Sequence, residues 1–331
     1  MHSLTLRVHP WAGLGITTGF NHTIMIDHLE NLNGAPIWNY APDTPRPAGH
    51  AVRLALDWED YDSGEKWLDL FAQFLEAGDT GEIEGLIVGS WDFESSETSE
   101  SIIEALVSSR ERLPKLKALF IGDITSEENE ISWIQQSDLS PILNAFPDLE
   151  WLGARGGSGL SFGSPHHSKL KHLVAETGGM DGRVVRALCA AQLPALEHLE
   201  LYLGTEHYGG TTLFDDLTPI LNGELFPALK YLGLRDFDRA DELAAEVAAS
   251  PVLSRLETLD LSLGTLGDEG AKALLESPLV RQLKKLDLHY HFCSPEVVAQ
   301  LEELPIEVDA SDMQVPSTWN NESHRYCAVT E

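Results

Sequence analysis

The stretch LSRLETLDLSLGTLGDEGAKALLESPLVRQLKKLDLHY, residues 253–290, says the same thing twice. LSRLETLDLSL (253–263) and VRQLKKLDLHY (280–290) carry aliphatic residues in one L-x-x-L-x-L pattern, 27 residues apart. Between them lies GDEGAKALLES, whose apolar residues recur at helical spacing. In the first copy Leu259 and Leu261 alternate with Asp260 and Ser262, the period-two signature of a strand with one buried face. In the second, Leu286 and Leu288 alternate with Asp287 and His289.

The pattern recurs along most of the chain, in LPKLKALFIGD (113–123), FPDLEWLGARG (146–156), HSKLKHLVAET (167–177), LPALEHLELYL (193–203) and FPALKYLGLRD (226–236). Weaker copies are AVRLALDWE (51–59), GEIEGLIVGS (81–90) and LPIEVDAS (304–311). The second apolar position of each copy falls at Leu54, Leu86, Leu119, Leu152, Leu173, Leu199, Leu232, Leu259, Leu286 and Ile306, with successive spacings from 20 to 33 residues. Helix-period segments such as EKWLDLFAQFLEA, DGRVVRALCAA and SPEVVAQLEEL fill most of the gaps, with Asp, Ser or Gly near their starts as N-caps. One strand and one helix cannot bury their apolar faces alone, so a repeat of this length implies stacking into a continuous core.

L-x-x-L-x-L followed by a helix resembles the leucine-rich repeat, and LGTLGDEGAKALLESPLV (263–280) is similar to its ribonuclease-inhibitor type. EISWIQQSDLSP (130–141) and SLGTLGDEGA (262–271) resemble an uncharacterised family of bacterial leucine-rich-repeat proteins. The resemblance implies an α/β solenoid of about ten repeats, with parallel strands on the concave face and helices on the convex face. It implies a fold and no mechanism. The asparagine that often follows the strand is replaced here by Gly204, Gly264 or His291. The organisation read from this is an N-terminal extension over 1–24, poorly ordered or preceding a true start at Met25, a cap and linker over 25–50, the solenoid over 51–311 and a C-terminal cap over 312–331.

Composition narrows the function. With 22 basic and 53 acidic residues the formal charge is 22 − 53 = −31. Such a charge repels phosphate backbones and anionic membranes, which excludes nucleic acid and lipid surfaces as partners. It favours solubility, and it would steer a basic partner. No apolar run approaches the roughly 18 residues of a membrane span, and MHSLTLRVHPWAGLGITTGF is interrupted by His9, Pro10, Gly13 and Gly15, so the chain reads as cytoplasmic. Three cysteines at wide spacings, Cys189, Cys293 and Cys327, make neither a disulfide framework nor a zinc knuckle.

Two functional readings stay open. In the first, the protein is a non-enzymatic scaffold that takes a protein or peptide on its concave face and on the strand-end rim, without a cofactor. The long repeats spend their extra residues in the loops 57–64, 90–99, 123–138 and 204–215, all at the C-terminal ends of parallel strands, where insertions gather on a binding face. These loops carry Trp58, Trp91, Trp133 and Tyr208, and the concave columns offer Trp151, Arg155, Tyr202, Tyr231, Arg235, Asp260, Asp287 and His289. For the aromatics, folding down as a lid competes with partner contact, and for the arginines, neutralising Glu176 and Glu200 competes with it. In the second reading Asp260, Asp287 and His289 hold a metal for hydrolysis. The glycine-rich RGGSG (155–159) reads as a short repeat whose helix is replaced by a loop.

Overall fold

The computed structural model describes residues 26–42, 44–78 and 80–329. The expected N-terminal extension, 1–24, lies outside them. A sheet of twelve strands runs in strict chain order. It begins with β1 (Asn31–Leu32), which pairs antiparallel with β2 (Ala35–Asn39). The rest are parallel: β3 (Ala51–Leu54), β4 (Gly85–Val88), β5 (Ala118–Ile121), β6 (Trp151–Arg155), β7 (His172–Glu176) and β8 (His198–Gly204). They continue through β9 (Tyr231–Phe237), β10 (Thr258–Asp260), β11 (Lys285–Asp287) and β12 (Glu307–Asp309). A separate hairpin, β13 (Ser317–Trp319) with β14 (Glu322–His324), follows.

The register is set by the leucines. Leu86, Leu119, Leu152, Leu173, Leu199, Leu232, Leu259 and Leu286 are aligned partners on consecutive strands, almost all of them wholly buried. The terminal repeats depart from expectation. Val52 and Val308 hold this column, while Leu54 pairs with Val88 two positions on. The anchor read from sequence lies two residues late at the N-terminal end, at Leu54, and two residues early at the C-terminal end, at Ile306, and all four positions are inward because the strand period is two.

Helices α1 (Trp58–Ser63), α2 (Trp67–Glu76), α3 (Glu100–Ser108), α4 (Ser140–Ala145) and α5 (Gly182–Cys189) are inserted between successive strands. So are α6 (Phe214–Leu221), α7 (Ala240–Ala248), α8 (Asp268–Glu276) and α9 (Pro295–Glu302). Their buried residues, among them Leu106, Leu188, Leu217, Val247, Leu274 and Leu301, join the strand leucines in one core. Neighbouring helices need about 8–10 Å and neighbouring strands about 4.8 Å, so the stack bends toward the strand side and makes that side concave. Between β6 and β7 no helix forms, as the short spacing of the RGGSG segment implies.

Two devices complete the ladder. Just before the strands, Glu84, Lys117, Glu150, Lys171, Glu197, Lys230, Glu257 and Lys284 alternate in sign, each backbone N–H bonded to the carbonyl of the one before. Lys117–Glu84, Lys171–Glu150, Lys230–Glu197 and Lys284–Glu257 close at 3.2, 2.6, 2.7 and 2.8 Å. Exposed pairs contribute little each, but a slip by one repeat would set like charges opposite. Past the strands, buried side chains replace the missing asparagines. Gln136 Nε2 donates to Ile121 O and Arg155 O, and Thr177 Oγ1 donates to Tyr202 O. His291 accepts from Cys293 N at Nδ1 and reaches Ala310 O through Nε2, so it is a buried structural imidazole.

Leu259 is fully buried in the middle of this stack. Leu259→Ala is expected to lower the unfolding free energy in urea by about 2–5 kcal/mol, as a cavity in a packed core does.

Candidate functional site

Three outward columns make the concave face. The first runs Trp151, His172, His198, Tyr231, Thr258, Lys285 and Glu307. The second runs Gly153, Val174, Glu200, Gly233, Asp260, Asp287 and Asp309. The third includes Arg155 beside Glu176, and Tyr202 beside Arg235. Strand spacing converts the first column into a ring stack. His172 and His198 lie 5.3 Å apart, and His198 is parallel to Tyr231 at 3.8 Å. The glycines of the second column give these rings room, since a Cβ at Gly153 would meet Trp151 at 2.6 Å and one at Gly233 would meet Tyr231 at 3.1 Å.

Lying across Gly233, Tyr231 donates its hydroxyl to Asp260 Oδ2 at 2.6 Å. Arg235 then ties the columns together. It bonds Glu200 Oε1 at 2.5 Å and Ser262 Oγ at 2.9 Å, approaches Asp260 Oδ2 at 3.3 Å, and stacks 4.9 Å over the Tyr202 ring. Burial alone would raise the Glu200 carboxyl, but His198 and Arg235 more than offset it and hold the group at about 2. Next along, Asp287 receives Lys285 Nζ at 2.8 Å and His289 Nδ1 at 2.6 Å. The bond to Asp287 raises the His289 imidazole, while burial raises the Asp287 carboxyl less than His289 and Lys285 lower it.

These contacts correct the metal grouping expected from sequence. Asp287 and His289 stand together, but Asp260 belongs to the Tyr231–Arg235 network, and the third group at ligand distance from Asp287 and His289 is Asp309. The Lys285 ammonium already neutralises Asp287, which works against a cation there. The hydrolase alternative finds no support in this arrangement. His291 does not share their face, because Tyr290 at φ 60° takes a left-handed turn and breaks the alternation.

The N-terminal third of the concavity is covered by the chain itself. Leu29, Leu32 and Ile37 pack on Ala51, Ile87, Ala118, Phe120 and Trp151. A buried charge cluster pins this strap. Asp123 accepts from Leu29 N and pairs with Arg53, whose guanidinium also donates to Leu29 O. Arg155 bonds Glu176 at 2.6 Å and donates to Ile124 O and Asp27 O. Arg155 is therefore a clamp and not a surface contact. At the other end, the C-terminal tail crosses the strand edge. Ala328 and Val329 pack with Tyr202, Leu263, Tyr290 and Phe292, and Val329 N donates to the wholly buried Asp236. Cys327, next to Ala328 in this tail, is buried with it.

The rim aromatics divide. Trp58 and Trp133 are 56% and 58% exposed, whereas Trp91 is 4% exposed and donates Nε1 to Glu97 O, so it is a lid over its own strand end. Tyr208 is half-buried against His207 at the rim of the β8 loop. Sequence reading passed over His172, His198 and Asp309, although the rule that found Tyr231, namely the residue preceding each aligned leucine, also selects both histidines.

Helix-backed parallel strands, one leucine column and side chains that stand in for the post-strand asparagines define a leucine-rich-repeat solenoid. A crystal structure of a Bacteroides fragilis protein, solved as a structural-genomics target, is 34% identical over 79% of this chain and 74% of that one, with a TM-score of 0.75. This chain belongs to the same family as that protein. An internalin, inlF of Listeria monocytogenes, aligns at 16% identity over 71% of this chain and 55% of that one, with a TM-score of 0.36. No family model matches the chain, and neither does any curated protein. Among the described residues no helix is long and apolar enough to cross a membrane.

Glu200 gives a test of the network. Its carboxyl ionises at about 2 in the fold against an ordinary 4.5, so its contribution is fully present above pH 4.5 and lost as pH falls toward 2. Glu200→Gln is expected to cost about 1.5–3 kcal/mol at pH 7, because it removes one of the two carboxylates that face the buried Arg235 guanidinium. In denaturation curves the deficit is expected to shrink steadily as the pH drops below 4.5.

Proposed function

We propose that the protein is a non-enzymatic interaction scaffold that binds a protein or peptide through the open part of its concave face and its strand-end rim. The observation that carries this reading is the organisation of the open floor. His172, His198 and Tyr231 form a partly exposed ring stack, with His198 and Tyr231 held by hydrogen bonds to Glu200 and Asp260, and Trp151 precedes them in the same column. Rigid aromatics above satisfied charges lose little freedom on binding, which is what a recognition surface requires. Asp260, Asp287, Arg235, Tyr202 and Arg155 act as the support, while Trp151, Tyr231, His289, Trp133 and Tyr208 offer the contact surface. Trp91 supports its loop from inside.

The acidic balance supports a partner that is basic where it meets the carboxylate columns, and argues against nucleic acid. A cytoplasmic setting agrees with three unpaired cysteines. The 27-residue units around α8, each one strand and one helix, support repeats of the ribonuclease-inhibitor type.

The test is capture from a lysate of the native host, read by mass spectrometry. Trp151→Ala, His172→Ala and His289→Ala together are expected to abolish capture of the specific partner while leaving the far-ultraviolet circular dichroism spectrum unchanged. Undiminished capture by a folded triple variant would remove the concave face from the site.

A further inference from the structure

Loops 90–99 and 123–138 enclose a shallow groove of about 380 Å³ at the rim. Phe93, Glu94, Ser126, Asn129, Glu130 and Trp133 are among the residues that line it. Its walls are preformed. Asn129 donates to Ser95 Oγ at 3.0 Å, Ser99 N donates to Gln135 O at 3.1 Å, and the Ser99 and Ser137 hydroxyls meet at 3.0 Å. Asp92 pins its loop by accepting from Ser96 N, Glu97 N and the Tyr61 hydroxyl at 2.5, 2.6 and 2.9 Å. Trp58 extends the wall, standing edge-on to Phe93 at 5.6 Å.

The charge around this wall is one-sided. The three loops 57–64, 90–99 and 123–138 contain 12 Asp and Glu and no Lys or Arg. On the concave floor Glu176, Glu200, Asp260 and Asp287 meet arginine or lysine; here Glu94 and Glu130 stand exposed beside open aromatic faces. The protein itself shows which chemistry fits. Lys66, just outside these loops, pairs with Glu97 at 3.1 Å and lies 5.9 Å over the Tyr61 ring, so one cation meets a carboxylate and an aromatic face together.

We propose that this groove docks a basic linear segment of a partner protein, with its Arg or Lys side chains laid over Trp133, Phe93 and Trp58 and paired with Glu94 and Glu130. Cations over aromatic faces in a carboxylate collar gain from both contacts. An apolar segment would leave the collar's charges desolvated and unpaired. The proposal rests on the interaction reading of the rim and is independent of the concave floor.

The test uses the full chain and a fluorescently labelled peptide of alternating Arg and Gly, followed by anisotropy at two salt concentrations. The expected result is saturable binding that weakens with salt, and weakens about tenfold in Trp133→Ala and again in Glu94→Gln/Glu130→Gln. The citrulline version of the peptide is expected not to bind, and the concave variant Trp151→Ala is expected to bind as wild type does. Equal affinity in Trp133→Ala would mean general attraction to an acidic surface and would overturn the groove, as would equal binding of the citrulline peptide or no saturable binding. If the groove variants bind the Arg peptide as wild type does while the concave variants still lose the lysate partner, the groove assignment falls and the scaffold reading stands.

Discussion

Everything visible on the surface of this molecule is positioned by one aliphatic residue per repeat stacked at strand spacing. Leu119, Leu152, Leu173, Leu199, Leu232, Leu259 and Leu286 leave no space between them, and their burial fixes every strand in register. Because side chains alternate along a strand, the same register delivers the intervening residues outward as three straight columns. The ring stack and the Glu200–Arg235–Asp260 network are consequences of that placement. So is the alternating Glu–Lys edge, which penalises a slip of one repeat.

Charge is then partitioned by position. On the concave floor and under the strap the central carboxylates each meet a cation or a hydroxyl: Asp123 with Arg53, Glu176 with Arg155, Glu200 with Arg235, Asp287 with Lys285, Asp260 with Tyr231. Buried pairs of this kind add little net stability, because desolvation consumes the attraction, but their loss is costly and their geometry is particular. They make the floor rigid and hold the strap across the first strands. The rim loops 57–64, 90–99 and 123–138 carry 12 acidic residues and no Lys or Arg of their own, and there the exposed Trp58 and Trp133 lie.

The solenoid, its register from Leu86 to Leu286 and the outward placement of Tyr231, Arg235, Asp287 and His289 were legible because period two and a recurring leucine are local signals. Four things were not. The terminal repeats lack the full motif, so the sequence points to Leu54 and Ile306 as anchors where Val52 and Val308 hold those places. His291 continues the alternation of Asp287 and His289 in the sequence, but a left-handed Tyr290 turns it inward, and backbone sign at a non-glycine residue leaves no mark in a sequence. The strap was invisible because its bonds join residues far apart in the chain, 94 positions for Leu29 to Asp123 and 128 for Arg155 to Asp27. Whether a loop tryptophan faces solvent or folds under also depends on tertiary partners. Trp91 finds the Glu97 carbonyl from inside its own loop, and Trp133, with a similar sequence setting, stands in solvent.

The most direct measurement is of inter-strand amide contacts in solution, by nuclear Overhauser spectroscopy on deuterated protein. Contacts are expected between the strand segments centred on Leu199 and Leu232, Leu232 and Leu259, and Leu259 and Leu286, in parallel register with those leucines opposite one another. A register displaced by one residue, setting Leu259 against Asp287, would turn the outward columns into the core and contradict the account at its base.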